Sequence, residues 1–177
     1  INIINLNNKK YSNKNVQIIY HQKYIKKNVG KMRYIYLDNF NLIKMLDKEF
    51  ISNNNKRANI IINNKEYKLK ENMEYNELKI LFLVKIKFID IIINLNSMFK
   101  GCKSLFCIYN FQNFNTNYLK TLYDLFYGCN SLKKIDDISG WNLNNVNNIS
   151  KLFYECSSLK LLPDISNWIL SNVKNIY

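Results

Sequence analysis

The chain has 177 residues, 47% of them apolar and 22% charged, with a net charge of +13. The apolar share is that of a folded protein and excludes wholesale disorder, and the length suits one domain or a small domain followed by a short repeat array. Most of the basic excess lies ahead of residue 97 as scattered lysine, with Arg33 and Arg57 the two arginines; a nucleic-acid module concentrates Lys and Arg on one face among aromatics, so nucleic acid is disfavoured as a partner.

Taken in chain order, residues 1–15 are Asn-rich and read as a loose tail. VQIIY at 16–20 and MRYIYL at 32–37 are rich in β-branched and aromatic residues, as strands are. LIKMLDKEFI at 42–51 repeats its apolar residues at helical spacing. ANIIINNKEYKLKEN at 58–72 reads as a hairpin: Ile60 and Ile62 alternate into Asn63 and Asn64, which tolerate positive φ, and Tyr67 and Leu69 alternate out. Residues 16–77 therefore predict a small α+β domain. Ala58 is the only alanine and Pro163 the only proline, while Asn, Lys and Ile abound, a composition that points to an AT-rich genome. The most apolar run, ILFLVKIKFIDIII at 80–93, is broken by Lys85, Lys87 and Asp90 and falls short of the ~20 apolar residues of a membrane span.

From residue 92 onward the chain repeats itself every 27 residues. LFYGCNSLKKIDDISGWNLNNV at 125–146 is followed by LFYECSSLKLLPDISNWILSNV at 152–173, and MFKGCKSL at 98–105 is an earlier copy. Phe99, Phe126 and Phe153 are in register, as are Cys102, Cys129 and Cys156, then Leu105, Leu132 and Leu159, then Phe114, Trp141 and Trp168. In-register positions that are all apolar or Cys predict one buried column per position, because stacked repeats bury a core that no single repeat can bury alone. Residues 78–93 carry a degenerate version, with Leu78, Leu81 and Val84 in the phase of Leu105, Ile108 and Phe111, and are expected to cap the array.

Within one repeat, Ile149, Leu152, Phe153 and Cys156 fall at i, i+3, i+4 and i+7, the spacing of one helix face, and Gly128 suits a helix C-terminus. Leu159, Leu162 and Ile165 follow in a stretch that Pro163 keeps extended. The expected fold is thus an α/β leucine-rich-repeat solenoid of about three repeats, 94–120, 121–147 and 148–174, with short parallel strands plus helical segments, behind the α+β domain; a 27-residue unit lies within the ~20–29 residues of such repeats. The quoted copies resemble the BspA-like leucine-rich repeat family of surface proteins, whose repeats look like M-F-x-x-C-x-S-L-x-x-L-x-x-I-S-x-W followed by N-V-x-x-M. Leu125 and Leu152 replace the methionine, Glu155 the glycine, Phe114 the tryptophan, and Ile169 stands in a loop where Asn142 stood. The resemblance implies adhesion or protein binding and a cell-surface or secreted location; unpaired cysteines, with no leader visible before Ile1, would fit the cytoplasm instead.

Little in the sequence carries chemistry. Cys102, Cys129 and Cys156 follow the repeat and Cys107 stands alone, so they read as buried thiols ahead of inter-repeat disulfides or a metal site. His21 is the only histidine and is far from every cysteine, and the four glycines form no phosphate loop. Asp137 and Asp164 are in register and read as holding loop amides, with Ca²⁺ as the sharper alternative. Lys133 and Lys160 form a row beside them, and these four residues are the candidate partner surface. The expectation is a non-enzymatic protein-interaction or adhesion module with no cofactor, no metal and a protein partner; a basic nucleic-acid-binding protein and a truncated repeat fragment whose last repeat is exposed are the alternatives.

Overall fold

The computed structural model describes residues 16–21, 24–29, 32–37, 42–74 and 81–176. Ten strands and one α-helix follow in the order β1 Val16–His21, β2 Tyr24–Val29, β3 Met32–Leu37, β4 Leu42–Lys44, α1 Lys48–Asn54, β5 Ala58–Ile62, β6 Lys65–Lys68, β7 Asn72–Glu74, β8 Leu81–Phe88, β9 Leu105–Tyr109 and β10 Lys134–Ile135. A six-stranded sheet runs β10-β9-β1-β8-β5-β6, and β2-β3 and β4-β7 form separate antiparallel pairs. The Asn-rich stretch 1–15, Leu78 and Tyr177 lie outside the described residues.

The α/β leucine-rich-repeat solenoid is not what forms. Among the described residues the chain is mostly strand, its only α-helix is the seven-residue α1, and every paired strand is antiparallel except β10 against β9. The repeats contain no α-helix, and only the short 3₁₀ turn Phe111–Asn113, because each holds two or more residues in the left-handed region. These are Ser97, Gly101 and Asn110 in the first repeat, Asp124 and Gly128 in the second, and Lys151 and Glu155 in the third, with φ between +53° and +70°. An α-helix needs right-handed residues throughout and N–H to C=O bonds four residues back. Here the bonds within a repeat span three residues, as from Met98 to Leu95 and Cys102 to Phe99. The alternate N–H groups turn sideways: Leu95, Ser97, Phe99 and Gly101 donate to the carbonyls of Thr121, Tyr123, Leu125 and Tyr127, at 2.7–3.3 Å. Leu122, Asp124, Phe126 and Gly128 repeat this onto Asn148, Ser150, Leu152 and Tyr154. Successive repeats are therefore flat rungs of linked turns, tied to one another by backbone bonds and by single parallel bridges at Asn94, Thr121, Asn148 and Asn175.

Stacking in register puts like on like. The Phe99 and Phe126 rings lie 5.7 Å apart and the Phe126 and Phe153 rings 5.5 Å, in both cases within 7° of parallel, and Trp141 stacks on Trp168 at 6.1 Å. Cys102, Leu105, Cys129 and Leu132 are buried beside them, and Cys156, Leu159 and Phe153 are half-buried. Each lower indole N–H donates to a carbonyl one rung up, Trp141 to Phe111 at 3.2 Å and Trp168 to Ile138 at 2.9 Å.

The part ahead of the repeats closes one end of this stack. The helix expected at 42–51 starts later, because residues 42–44 pair as β4 with β7 and Asp47 caps the helix by accepting the Glu49 N–H at 3.0 Å. Phe50 of α1 is fully buried, and Glu49 accepts hydrogen bonds from Ser97 Oγ, at 2.6 Å, and from the Tyr123 hydroxyl, so one carboxylate ties α1 to the first two rungs. The hairpin β5-β6 turns through Asn63 and Asn64, both at positive φ, and its buried Ala58, Ile60 and Ile62 face the same side as Val84 and Ile86 of β8. β8 pairs antiparallel with β5 and β1, and β1 lies between β8 and β9, so the strand within 78–93 is not a parallel rung. One core cluster, from Ile43 to Trp168, runs through both parts.

Candidate partner surface

Two of the four surface candidates, Asp137 and Asp164, hold loop turns while remaining exposed. Asp137 Oδ1 accepts the Ser139 N–H at 2.8 Å and Asp164 Oδ1 accepts the Ser166 N–H at 2.9 Å, closing the same tight turn in successive rungs. Those bonds hold both exposed carboxyls below the usual aspartate range, the backbone amide contributing most.

Lys133 and Lys160 lie elsewhere, at the edge of the sheet. They line a cleft of about 290 Å³ together with Lys134, Ile135, Leu161, Leu162 and Pro163. No carboxylate lines it, and none of the three lysines has an ion-pair partner among the described residues. Lys133 Nζ sits 5.0 Å from the centre of the Phe106 ring and Lys134 Nζ 5.7 Å from that of Tyr109, which leans both side chains along β9.

The cleft exists because one rung fails to continue the sheet. In the second rung, β10 leaves β9 with the Asp136 N–H bonded to the Ile108 carbonyl at 3.1 Å, while the Asp136 carboxylate accepts the Asn110 N–H at 2.8 Å. Pro163 occupies the same position in the third rung. It has neither an N–H nor a carboxylate, so both bonds are lost and residues 160–162 form no strand on β10. Lys134 and the consequence of Pro163 were missed by sequence reasoning; the available signal was that a proline had replaced an aspartate in an otherwise conserved register.

The third rung also presents its outer face. Leu162 is 61% exposed where Ile135 is 7%, Ile165 is 38% where Ile138 is 0%, and Leu170 is 36% where Leu143 is 1%. The N–H groups of Phe153 and Glu155, whose counterparts bond to the next rung, have no partner among the described residues. Ile169 and Ile176 add to this apolar face.

Cys102, Cys107, Cys129 and Cys156 are all free. Cys129 Sγ donates to the Phe99 carbonyl and Cys156 Sγ to the Phe126 carbonyl, each at 3.1 Å. Burial pushes all four thiols up from their ordinary range, Cys156 to about 11. No group of three His, Cys, Asp or Glu residues is close enough to hold a metal ion among the described residues, and no described helix is long and apolar enough to cross a membrane.

No curated protein and no solved structure matches the chain. One family does: that described as "Mycoplasma protein of unknown function, DUF285" matches residues 83–177, which takes in β8 from its third residue, the whole rung stack and more than half of the chain. The chain belongs to the DUF285 family of Mycoplasma proteins.

Proposed function

We propose that this protein is a recognition module that binds another protein through the outer face of its rung stack, without chemical turnover. The observation that carries this is the third rung. Leu162, Ile165, Ile169, Leu170 and Ile176 are each exposed among the described residues on a pre-formed, hydrogen-bonded scaffold, and exposed apolar side chains gathered on one rung support an interaction site. The state of the thiols supports this reading: burial favours the protonated form of all four, and Cys129 and Cys156 donate their S–H to backbone carbonyls. The sequence likeness to BspA-like surface proteins supports the same reading and extends it to adhesion.

The test is capture of partners by the immobilised chain at low and high salt, beside an Ile165→Lys variant that places a charge on the open face. Retention of a protein at high salt, lost in Ile165→Lys, is the expected result. Recovery of nothing but salt-sensitive nucleic acid, or retention indifferent to the substitution, would overturn the reading.

A further inference from the structure

We propose that the cleft between β10 and residues 160–163 takes an extended acidic peptide from the partner protein, which adds as a strand along the free edge of β10. This rests on the recognition reading and names the chemistry of its ligand. β10 is the end strand of the six-stranded sheet, paired on one side with β9 and with no strand on the other among the described residues. Exposed strand edges present unpaired backbone groups that accept a further strand, and proteins use such edges to bind extended segments. Here the chain's own next rung is kept off the edge by Pro163, which cannot supply the N–H that Asp136 gives to Ile108 one rung earlier.

The walls of the cleft set the sequence that fits. Lys133, Lys134 and Lys160 supply three positive charges with no carboxylate among the lining residues, whereas Ile135, Leu161, Leu162 and Pro163 supply the apolar wall. Leu161 is 84% exposed. Side chains of a strand alternate between two faces, and Lys133 beside Phe106 and Lys134 beside Tyr109 stand on opposite faces of β9, so carboxylates on either face of an added strand meet a lysine while branched aliphatics between them meet Ile135, Leu161 and Leu162. At about 290 Å³ the cleft lies at the small end of ligand pockets, which run from ~300 Å³, and so admits a short extended segment and not a folded element.

The experiment titrates the full chain into a fluorescein-labelled peptide of alternating Glu and Val and reads fluorescence anisotropy. Polyglutamate and a peptide of alternating Lys and Val serve as comparison probes. We expect the Glu-Val peptide to bind most tightly, Lys160→Glu to weaken it about tenfold, and Lys103→Glu, an equal charge change outside the cleft lining, to leave it nearly unchanged. Pro163→Asp restores the amide and the carboxylate found at Asp136, closes the edge, and also weakens binding while leaving every lysine in place. An unchanged melting curve in each variant separates these effects from unfolding. Equal binding of polyglutamate, equal losses in Lys160→Glu and Lys103→Glu, no effect of Pro163→Asp, or no binding would each overturn the proposal. If the peptide fails while partner capture remains sensitive to Ile165→Lys, the cleft proposal falls and the recognition reading stands; if both fail, the reading falls with it.

Discussion

Phe126 sits between Phe99 and Phe153 in a face-to-face column, closed on both sides, whereas Phe153 is covered on one side and half-buried. Phe126→Ala would leave a cavity lined by rings that cannot collapse without breaking the backbone bonds between rungs, and a loss of about 3–5 kcal/mol is expected from chemical denaturation. Phe153→Ala should lose clearly less, because water already reaches that ring. A second residue gives a pH signature. The hydrogen bond to Glu49, and to a lesser degree burial, raises the Tyr123 hydroxyl to about 12, from 10. A group that releases its proton later in the folded state stabilises fully below its unfolded value, and loses that contribution as pH rises towards the folded one. The stability difference between the native chain and Tyr123→Phe should therefore be flat up to about pH 10 and shift against the native chain from there to about 12. A pH-independent difference across that window would show that the tyrosine does not hold its proton for Glu49.

At the scale of elements, the turn pairs matter more than the strands. Gly128 is at φ +70°, and a Cβ there would meet Gly101 Cα at 3.7 Å, an ordinary contact, so space is not the obstacle. Gly128→Ala should therefore lose only the left-handed backbone term, about 1 kcal/mol, and Glu155→Gly, in the same column of the next rung, should recover a similar amount. Equilibrium denaturation of the two variants checks both signs. The same pairs explain why the helical expectation failed. Ile149, Leu152, Phe153 and Cys156 do carry helical spacing, but a run of linked turns also brings every third or fourth side chain inward, and Ser97 and Lys151, in the same column as Asp124, give no hint in their chemistry that they sit at positive φ. Gly101 and Gly128 were visible, and a glycine read as ending a helix was marking one turn among several. The β5-β6 hairpin was legible because alternation and its Asn63-Asn64 turn are both local. The placement of β1 between β8 and β9 was not, since nothing in residues 16–21 specifies partners some sixty to ninety positions away. Of the candidate surface, the lysine row could be read from its period; the edge it flanks could not, because that edge follows from a hydrogen bond that Pro163 fails to make.

Among the described residues the rung stack is covered by α1 at one end, and its third rung has a neighbouring rung on one side, so its stability should be graded accordingly. At the α1 end, Glu49 joins α1 to Ser97 and Tyr123, the Asp47 N–H reaches the Met98 carbonyl at 3.0 Å, and Phe50 and Met98 are fully buried. At the third rung, the Phe153 and Glu155 amides find no rung to bond among the described residues, and the apolar columns end at exposed Leu162 and Ile165. Rungs that contact only their neighbours gain stability from each interface they share, so a rung with one interface opens more readily than a rung with two. Native-state hydrogen exchange should show the Phe99 and Gly101 amides slow, those of Phe126 and Gly128 close behind, and those of Phe153 and Glu155 fast. A partner seated on the open face would slow Phe153 and Glu155 first, whereas a strand added at β10 alone would leave them fast. The same experiment thus separates the two docking modes by which amides it protects, and uniform protection along the stack in the free chain would show that the third rung needs no cover.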